Sequence, residues 1–247
     1  MAADVFNIVN ENSEHSLILT CEHASARIPG EYCNLGLSEQ ALDTHIARDK
    51  GCKEVTQKLS ERLGCFAVMG GYSRLLIDLN RAVDEDELIV AESDKIPVPG
   101  NRSLSAEEKE KRVSRYYRPY YAEIEKQISR LQKMGKQPVI FSVHSFTPQL
   151  RGGNYRPWQA GILYHRPQKL ASFMYEELCK TDKRIGENVP YDLRAYDTGA
   201  AVFCGERKGF DYALIEIRDD EFDNLEQGAE EWADLLEKIL SRYLAES

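Results

Sequence analysis

The 247-residue sequence predicts an α/β fold with a mostly parallel sheet covered by helices. Three observations carry that expectation. Short apolar runs, many of them β-branched, alternate along the chain with amphipathic stretches of helical period. The runs are apolar almost throughout, as strands buried on both faces are. Several end abruptly in histidine, carboxylate or guanidinium residues, and in such sheets ligands sit at the carboxyl ends of the strands.

Taken in order, Ser16 to Thr20 reads as a buried strand that runs into Cys21-Glu22-His23 and a loop marked by Pro29-Gly30. Ser38 to Leu63 has helical spacing, with Ser38 as its N-cap and Gly51 signalling a break or a close approach near Asp49. Cys65 to Met69 is a second strand, and Gly70-Gly71-Tyr72 turns the chain. Ser73 to Arg81 reads as a third strand ending in Asn80-Arg81. Residues 82–104, acidic and then rich in proline and glycine, read as a surface excursion or lid. A capping box at Ser105 and Glu108 opens a charged amphipathic helix to about Met134, stopped by Gly135. Gln137 to Phe141 then drives into His144, which falls where that strand is expected to end. Further on come a loop (Arg151 to Trp158), a strand (Ala160 to Tyr164), a helix (Pro167 to Cys179) and a second loop (Gly186 to Tyr191). A late strand, Tyr212 to Arg218, carries Glu216, and Leu225 to Tyr243 closes the chain as an amphipathic helix.

The length allows one large domain or two small ones. No repeat, low-complexity tract or boundary divides the sequence, so a single domain over residues 1–247 is expected. A net charge of −9 makes nucleic acid a poor partner, although a local arginine cluster can still hold a small anion. No apolar run is long enough to cross a bilayer, and the N-terminus lacks a signal-peptide pattern, so a cytoplasmic location is expected. The six cysteines form no Cys-x-x-Cys pair, which argues against a thiolate zinc knuckle and for free thiols. Cys21 lies two residues from His23, but side chains two apart on a strand project in parallel, which suits proton transfer poorly.

Two histidines, His23 and His144, share the same context just past a buried strand. Neutral imidazole suits zinc, and hydrolytic zinc sites hold the ion by three protein ligands and a water. Glu22, Asp43 and Asp49 are the carboxylates that can complete such a set. Either histidine alone reads more simply as a strand-end cap; it is the repeated context that favours the metal reading. Glu216 is either a functional buried carboxylate or, with Arg218, part of a solvated strand face. Asn80-Arg81 can grip a carboxylate, yet Arg81, like Arg74 and Arg156, is by itself an ordinary exposed arginine. The run Tyr116 to Tyr121 reads as a helix face packed on the sheet.

Five pieces in order resemble the N-formylglutamate amidohydrolase family. They are Cys21-Glu22-His23-Ala24-Ser25 with Ile28-Pro29, then Arg48-Asp49 with Gly51, then Ser73 to Arg81, then Val143 to Pro148, then Glu216-Ile217-Arg218. The resemblance spans about Ser16 to Arg218 and implies a carboxypeptidase-like fold of the phosphorylase/hydrolase kind. That fold is a three-layer α/β/α sandwich around a mixed, mostly parallel sheet. It implies a hydrolase that cleaves the amide of N-formyl-L-glutamate or a related N-acyl acidic amino acid. By position, His23, His144 and Asp49 become metal ligands, most simply for zinc, with Glu22 as the alternative third ligand. Glu216 becomes the general base. Asn80 and Arg81 hold a substrate carboxylate, with Arg74 and Arg156 as further arginines and Asn188 and Tyr191 as further contacts. Two other readings are a carboxypeptidase-like hydrolase of short peptides and a non-catalytic small-anion binding module.

Overall fold

The computed structural model describes residues 5–195 and 199–246. In chain order the strands are β1 (Phe6–Val9), β2 (Leu17–Cys21), β3 (Phe66–Gly70), β4 (Glu92–Ser93), β5 (Ile96–Pro97), β6 (Val139–Phe146), β7 (Ala160–Leu163), β8 (Ile185–Glu187) and β9 (Asp211–Arg218). The helices are α1 (Glu39–Leu42), α2 (Cys52–Leu63), α3 (Ala106–Arg112), α4 (Arg118–Lys133), α5 (Lys169–Leu178) and α6 (Leu225–Glu246). Seven strands make one sheet in the order β1-β3-β2-β6-β9-β7-β8, while β4 and β5 form a separate small ribbon. Within the sheet, β3, β2, β6 and β9 run parallel to one another; β1 and β7 pair antiparallel at either side.

Every residue of β2, β3, β6 and β7 is buried, which explains why these runs carry no polar alternation. On one face α2, α5 and α6 cover Leu17, Leu19, Phe141, Val143 and Ile215, with Trp232 of α6 in the centre. On the other, α4 and the turn that leads into it (Val113–Tyr117) cover Ile18, Val68, Ile140, Tyr212 and Leu214. This is the three-layer α/β/α sandwich. One turn of π-helix, Val113–Tyr117, joins α3 to α4, so residues 106–133 are a single rod. Ser105 caps it by accepting from the Glu108 amide at 3.1 Å. Tyr116, Tyr117 and Tyr120 are buried against the sheet, as a packing face should be.

Four local expectations are corrected. Ser73 to Arg81 is a succession of turns, because its polar side chains bond nearby backbone and compete with a ladder. Ser73 Oγ binds the Leu75 amide and the Ala47 carbonyl, and Asp78 Oδ1 accepts from the Asn80 amide. Ser38 to Leu63 is not one helix: residues 43–51 leave helical form between α1 and α2, and the Asp49 amide donates to the His23 carbonyl at 3.0 Å. His144 lies inside β6, since β9 pairs alongside it as far as Phe146 and Arg218. Gly186 and Glu187, read as the start of a loop, belong with Ile185 to β8 at the sheet edge.

Gly51 supplies the close approach its position suggested. Its φ is +82°, and a Cβ there would lie 2.3 Å from the Phe222 ring. We predict that Gly51→Ala lowers stability by about 2 kcal/mol or more, from left-handed strain plus overpacking. Denaturant midpoints of the variant and the parent protein measure this; equal midpoints would refute it.

Candidate active site

The parallel core strands place their carboxyl ends side by side, and the polar residues gather there. His144 of β6 and Glu216 of β9 are register partners, so their side chains leave the same face. Thr20 and Ser142 are paired one step earlier on that face, their hydroxyls 2.5 Å apart. The alternation continues from Thr20 to Glu22, which meets His144 from the β2 side. His23 and Asp49 come from the segments just beyond, tied together by the backbone bond already described.

One carboxylate oxygen organises the cluster. Asp49 Oδ2 lies 3.2 Å from His23 Nδ1 and 3.0 Å from His144 Nδ1. It also accepts from the Ser145 amide at 3.3 Å. The two imidazoles meet nearly at right angles with centroids 5.0 Å apart. His23 Nε2 is 2.7 Å from Asp78 Oδ1. Asp78 is held ionised, so the ring donates from Nε2; a metal at the centre would take the Nδ1 lone pair, which otherwise carries a proton towards Asp49. His144 Nε2 lies 2.8 Å from Glu22 Oε2, but out of line for a hydrogen bond: both atoms remain buried without a hydrogen-bond partner. Glu22 therefore faces the Nε2 side of the ring, while Asp49 faces Nδ1.

The electrostatics follow from burial. Four carboxylates (Glu22, Asp49, Asp78 and Glu216) and two imidazoles are almost wholly buried, with Arg74 beside them. Burial opposes charge on Asp49 and Asp78, yet the adjacent imidazoles and Arg74 hold both well below the usual carboxylate range. Arg74 binds Asp78 through Nη2 at 2.9 Å and Nε at 3.2 Å, and approaches Asp49 at 3.5 Å. Burial also opposes protonation of His144, but Asp49 and Glu22 raise its pKa well above the ordinary imidazole value. His23 is raised too, its burial and Arg74 being outweighed by Asp78 and Asp49. Glu216 is different: burial pushes it up to about 7, with Asp49 adding to the shift and His144 opposing it. Cys21 is buried, and burial with Asp49 and Glu22 nearby raises its thiol well above the usual range, so it is no nucleophile.

His23, Asp49 and His144 offer three donor atoms that lie within 4.8 Å of one another. Bonds of about 2.0–2.1 Å in tetrahedral array put neighbouring donors about 3.3 Å apart. The two Nδ1–Oδ2 separations are close to that, and carboxylates behind the Nε2 atoms are what metal-bound imidazoles use. The local excess of negative charge also suits a dication, which would replace the protons the imidazoles otherwise retain. These residues fit a divalent metal.

Beside the cluster lies a cavity of about 220 Å³ lined by His23, Arg74, Asn80, Arg81, Tyr191 and Glu216, among others. The turns that replace the expected third strand thus deliver Arg74, Asp78, Asn80 and Arg81 to one place. Two helix tyrosines pin that segment: Tyr121 donates to the Leu79 carbonyl at 2.6 Å and Tyr117 to the Arg81 carbonyl at 2.8 Å. Gly199, at φ +87°, packs so closely that a Cβ would lie 2.2 Å from Asn80 Oδ1. Arg156 and Asn188 do not line the cavity. Arg156 donates to Tyr191 Oη at 3.2 Å and to the Thr147 carbonyl at 3.3 Å. Asn188 is buried and accepts from the Tyr164 amide at 3.0 Å. Asp78 was missed in the sequence, although it sits inside the Ser73 to Arg81 motif; read as strand, that motif gave it no reason to face His23. A larger hollow of about 790 Å³, near Gln137, Phe173 and Asp211, lies at the opposite ends of β6 and β9, away from these groups.

No described helix is long and apolar enough to cross a membrane. The family model of the N-formylglutamate amidohydrolases matches residues 15–222. No curated protein matches the chain. Among solved structures, a gene product of Agrobacterium tumefaciens is 30% identical, with a TM-score of 0.91, over 98% of this chain and 95% of that one. An N-formylglutamate amidohydrolase from Ralstonia eutropha shares the fold at 18% identity, with a TM-score of 0.74, over 98% of each chain. With most of the sequence inside the family model, the chain belongs to the N-formylglutamate amidohydrolase family and is a hydrolase.

Proposed function

We propose that the protein is a metal-dependent amidohydrolase that cleaves the amide of N-formyl-L-glutamate or a related N-acyl acidic amino acid. The observation that carries the reading is the pairing of the His23–Asp49–His144 cluster with Glu216 and Arg81 around one small cavity. His23, Asp49 and His144 would hold the metal, zinc being the simplest occupant of an N₂O donor set. Such an ion supplies a water of lowered pKa and polarises the scissile carbonyl. Asp78 orients the His23 imidazole from behind through a hydrogen bond, and Glu22 lies as a charge behind His144 Nε2.

Glu216 is the base in this reading. A carboxyl group near pH 7 is suited to take a proton from water and return it to the leaving nitrogen. Its Oε2 is buried without a hydrogen-bond partner among the described residues and it lines the cavity, so that oxygen is free of described protein donors. Arg81 and Asn80 receive a substrate carboxylate at the far wall. Arg74 has its donors on Asp78 and Asp49, so its role is to hold those carboxylates in place. Tyr191 closes the side where Arg156 stacks on its ring at 5.1 Å. The cavity is smaller than the roughly 300–1,000 Å³ of drug-sized pockets, which favours an amino-acid derivative over a peptide. The reading further has the enzyme act in the cytoplasm as a single domain on a free small molecule.

Metal analysis coupled to a hydrolysis panel tests this directly. N-formyl-L-glutamate is expected to turn over only with metal bound, and chelator should abolish it; full activity in metal-free protein would sink the metal assignment. Glu216→Gln should retain metal and lose at least about 100-fold in kcat. Glu22→Gln, by contrast, should weaken metal binding about 10- to 100-fold in chelator competition. If the two variants exchange these defects, the roles are misassigned. Arg81→Ala should raise KM for N-formyl-L-glutamate about 10- to 100-fold, and much less for a substrate analogue lacking carboxylates. An equal loss on both would refute the carboxylate role.

A further inference from the structure

The wall of the cavity that carries Arg81 also carries a carboxylate, Glu87. Arg81 Nη2 lies 3.3 Å from Glu87 Oε2, and its Nη1 lies 3.9 Å from Glu85 Oε2. The two acids are held differently. Glu85 Oε1 accepts from the Ala82 amide at 3.0 Å, so Glu85 is fixed as a local cap. The Glu87 side chain is 60% exposed, and its ion pair with Arg81 is the contact that draws it to the cavity. Glu87 sits in a short 3₁₀ turn, Asp86–Leu88, whose Leu88 is fully buried and whose Leu88 carbonyl accepts from the Asp78 amide at 2.8 Å. The backbone of Glu87 is therefore anchored while its side chain is free to swing.

Among the described residues the other guanidinium lining the cavity is that of Arg74, and both of its edges already meet Asp78 and Asp49, while His23 faces Asp49 and Asp78. A carboxylate entering the cavity must then go to Arg81, where it meets Glu87. Two carboxylates cannot share one guanidinium edge without mutual repulsion.

We propose that Glu87 is an affinity-setting residue that acts as a tethered competitor: it occupies Arg81 in place of the substrate carboxylate, withdraws into solvent when substrate binds, and returns to displace the product. The inference rests on Arg81 being the carboxylate anchor of the proposed reaction. Glu87 touches neither the scissile amide nor the ligand cluster, so its effect falls on binding. An exposed ion pair is weak, so the competition is modest and salt-sensitive. Removing it should tighten carboxylate binding about 1.5- to 5-fold.

The test is calorimetric binding of L-glutamate, glutarate and glutaramide to the metal-loaded protein, its Glu87→Gln variant, Arg81→Ala and the double variant. Because L-glutamate and glutarate carry no amide bond, their binding is read apart from turnover; glutaramide is checked for ammonia release, and N-formyl-L-glutamate kinetics run in parallel. Glu87→Gln should bind glutamate and glutarate more tightly by that factor and leave glutaramide unchanged. The gain should vanish in the Arg81→Ala background and shrink at about 0.5 M salt. In kinetics the same factor should appear as a lower KM and a lower inhibition constant for L-glutamate. Equal or weaker binding by Glu87→Gln, an equal gain for glutaramide, or no binding of any of the three overturns the proposal. Absence of hydrolysis with selective tightening intact would instead overturn the proposed reaction.

Discussion

The structure depends on one oxygen. Asp49 Oδ2 faces an imidazole nitrogen from each of two separate parts of the chain, together with a backbone amide of β6. A buried carboxylate so placed has to be matched by positive charge, because the surrounding sheet offers little dielectric relief. Protonated imidazoles can supply it, and so can a dication. The neighbouring groups are arranged around that choice. Asp78 and Glu22 stand behind the imidazoles, Arg74 neutralises part of the excess, and Glu216 is left nearest to neutrality. The same demand explains why residues 43–51 abandon helical form: Asp49 can reach both rings only from an irregular backbone.

Packing makes this arrangement hold. The parallel strands fix Glu22, His144 and Glu216 along one face, since register decides which side chains are neighbours. The rod of α3 and α4 contributes more than apolar cover, for its tyrosines reach across to the carbonyls on either side of Asn80. An arginine presented from a turn would otherwise carry the mobility of that turn. Here the anchor sits on backbone held from two sides, so orienting a ligand costs less ordering entropy.

Much of this was legible in the residues. Apolar runs ending in His23, His144 and Glu216 announced both the layered sheet and the rim where chemistry would gather. Gly51 signalled the close approach that Phe222 makes. The most costly failure has a clear physical cause. Ser73 to Arg81 has the hydrophobicity of a strand, but Ser73 and Asp78 satisfy nearby backbone through their side chains, and hydrophobic period does not register such bonds. Misreading that run hid Asp78, whose importance lies in what it faces across the chain. Likewise Arg74, Arg81 and Arg156 look alike in sequence; only tertiary partners separate the one holding carboxylates from the one lining an open wall and the one stacked on Tyr191.

The excursion between Arg81 and α3 has a further consequence. It builds no part of the main sheet, yet it is not loose: Asn101 donates to the Leu75 and Val90 carbonyls, and Arg112 holds Asn101 in turn. The proposed base and metal ligands sit on the strands or on the segments beside them, while this packed appendage brings Glu87 to the cavity wall. The two tasks reside in different stretches of polypeptide, tied together where Leu88 packs with the sheet and Val98 with Ile46 and Leu75. Sequence drift in the appendage can therefore retune which molecules are admitted and leave the bond-breaking machinery as it was, a route by which one hydrolytic scaffold serves several diets.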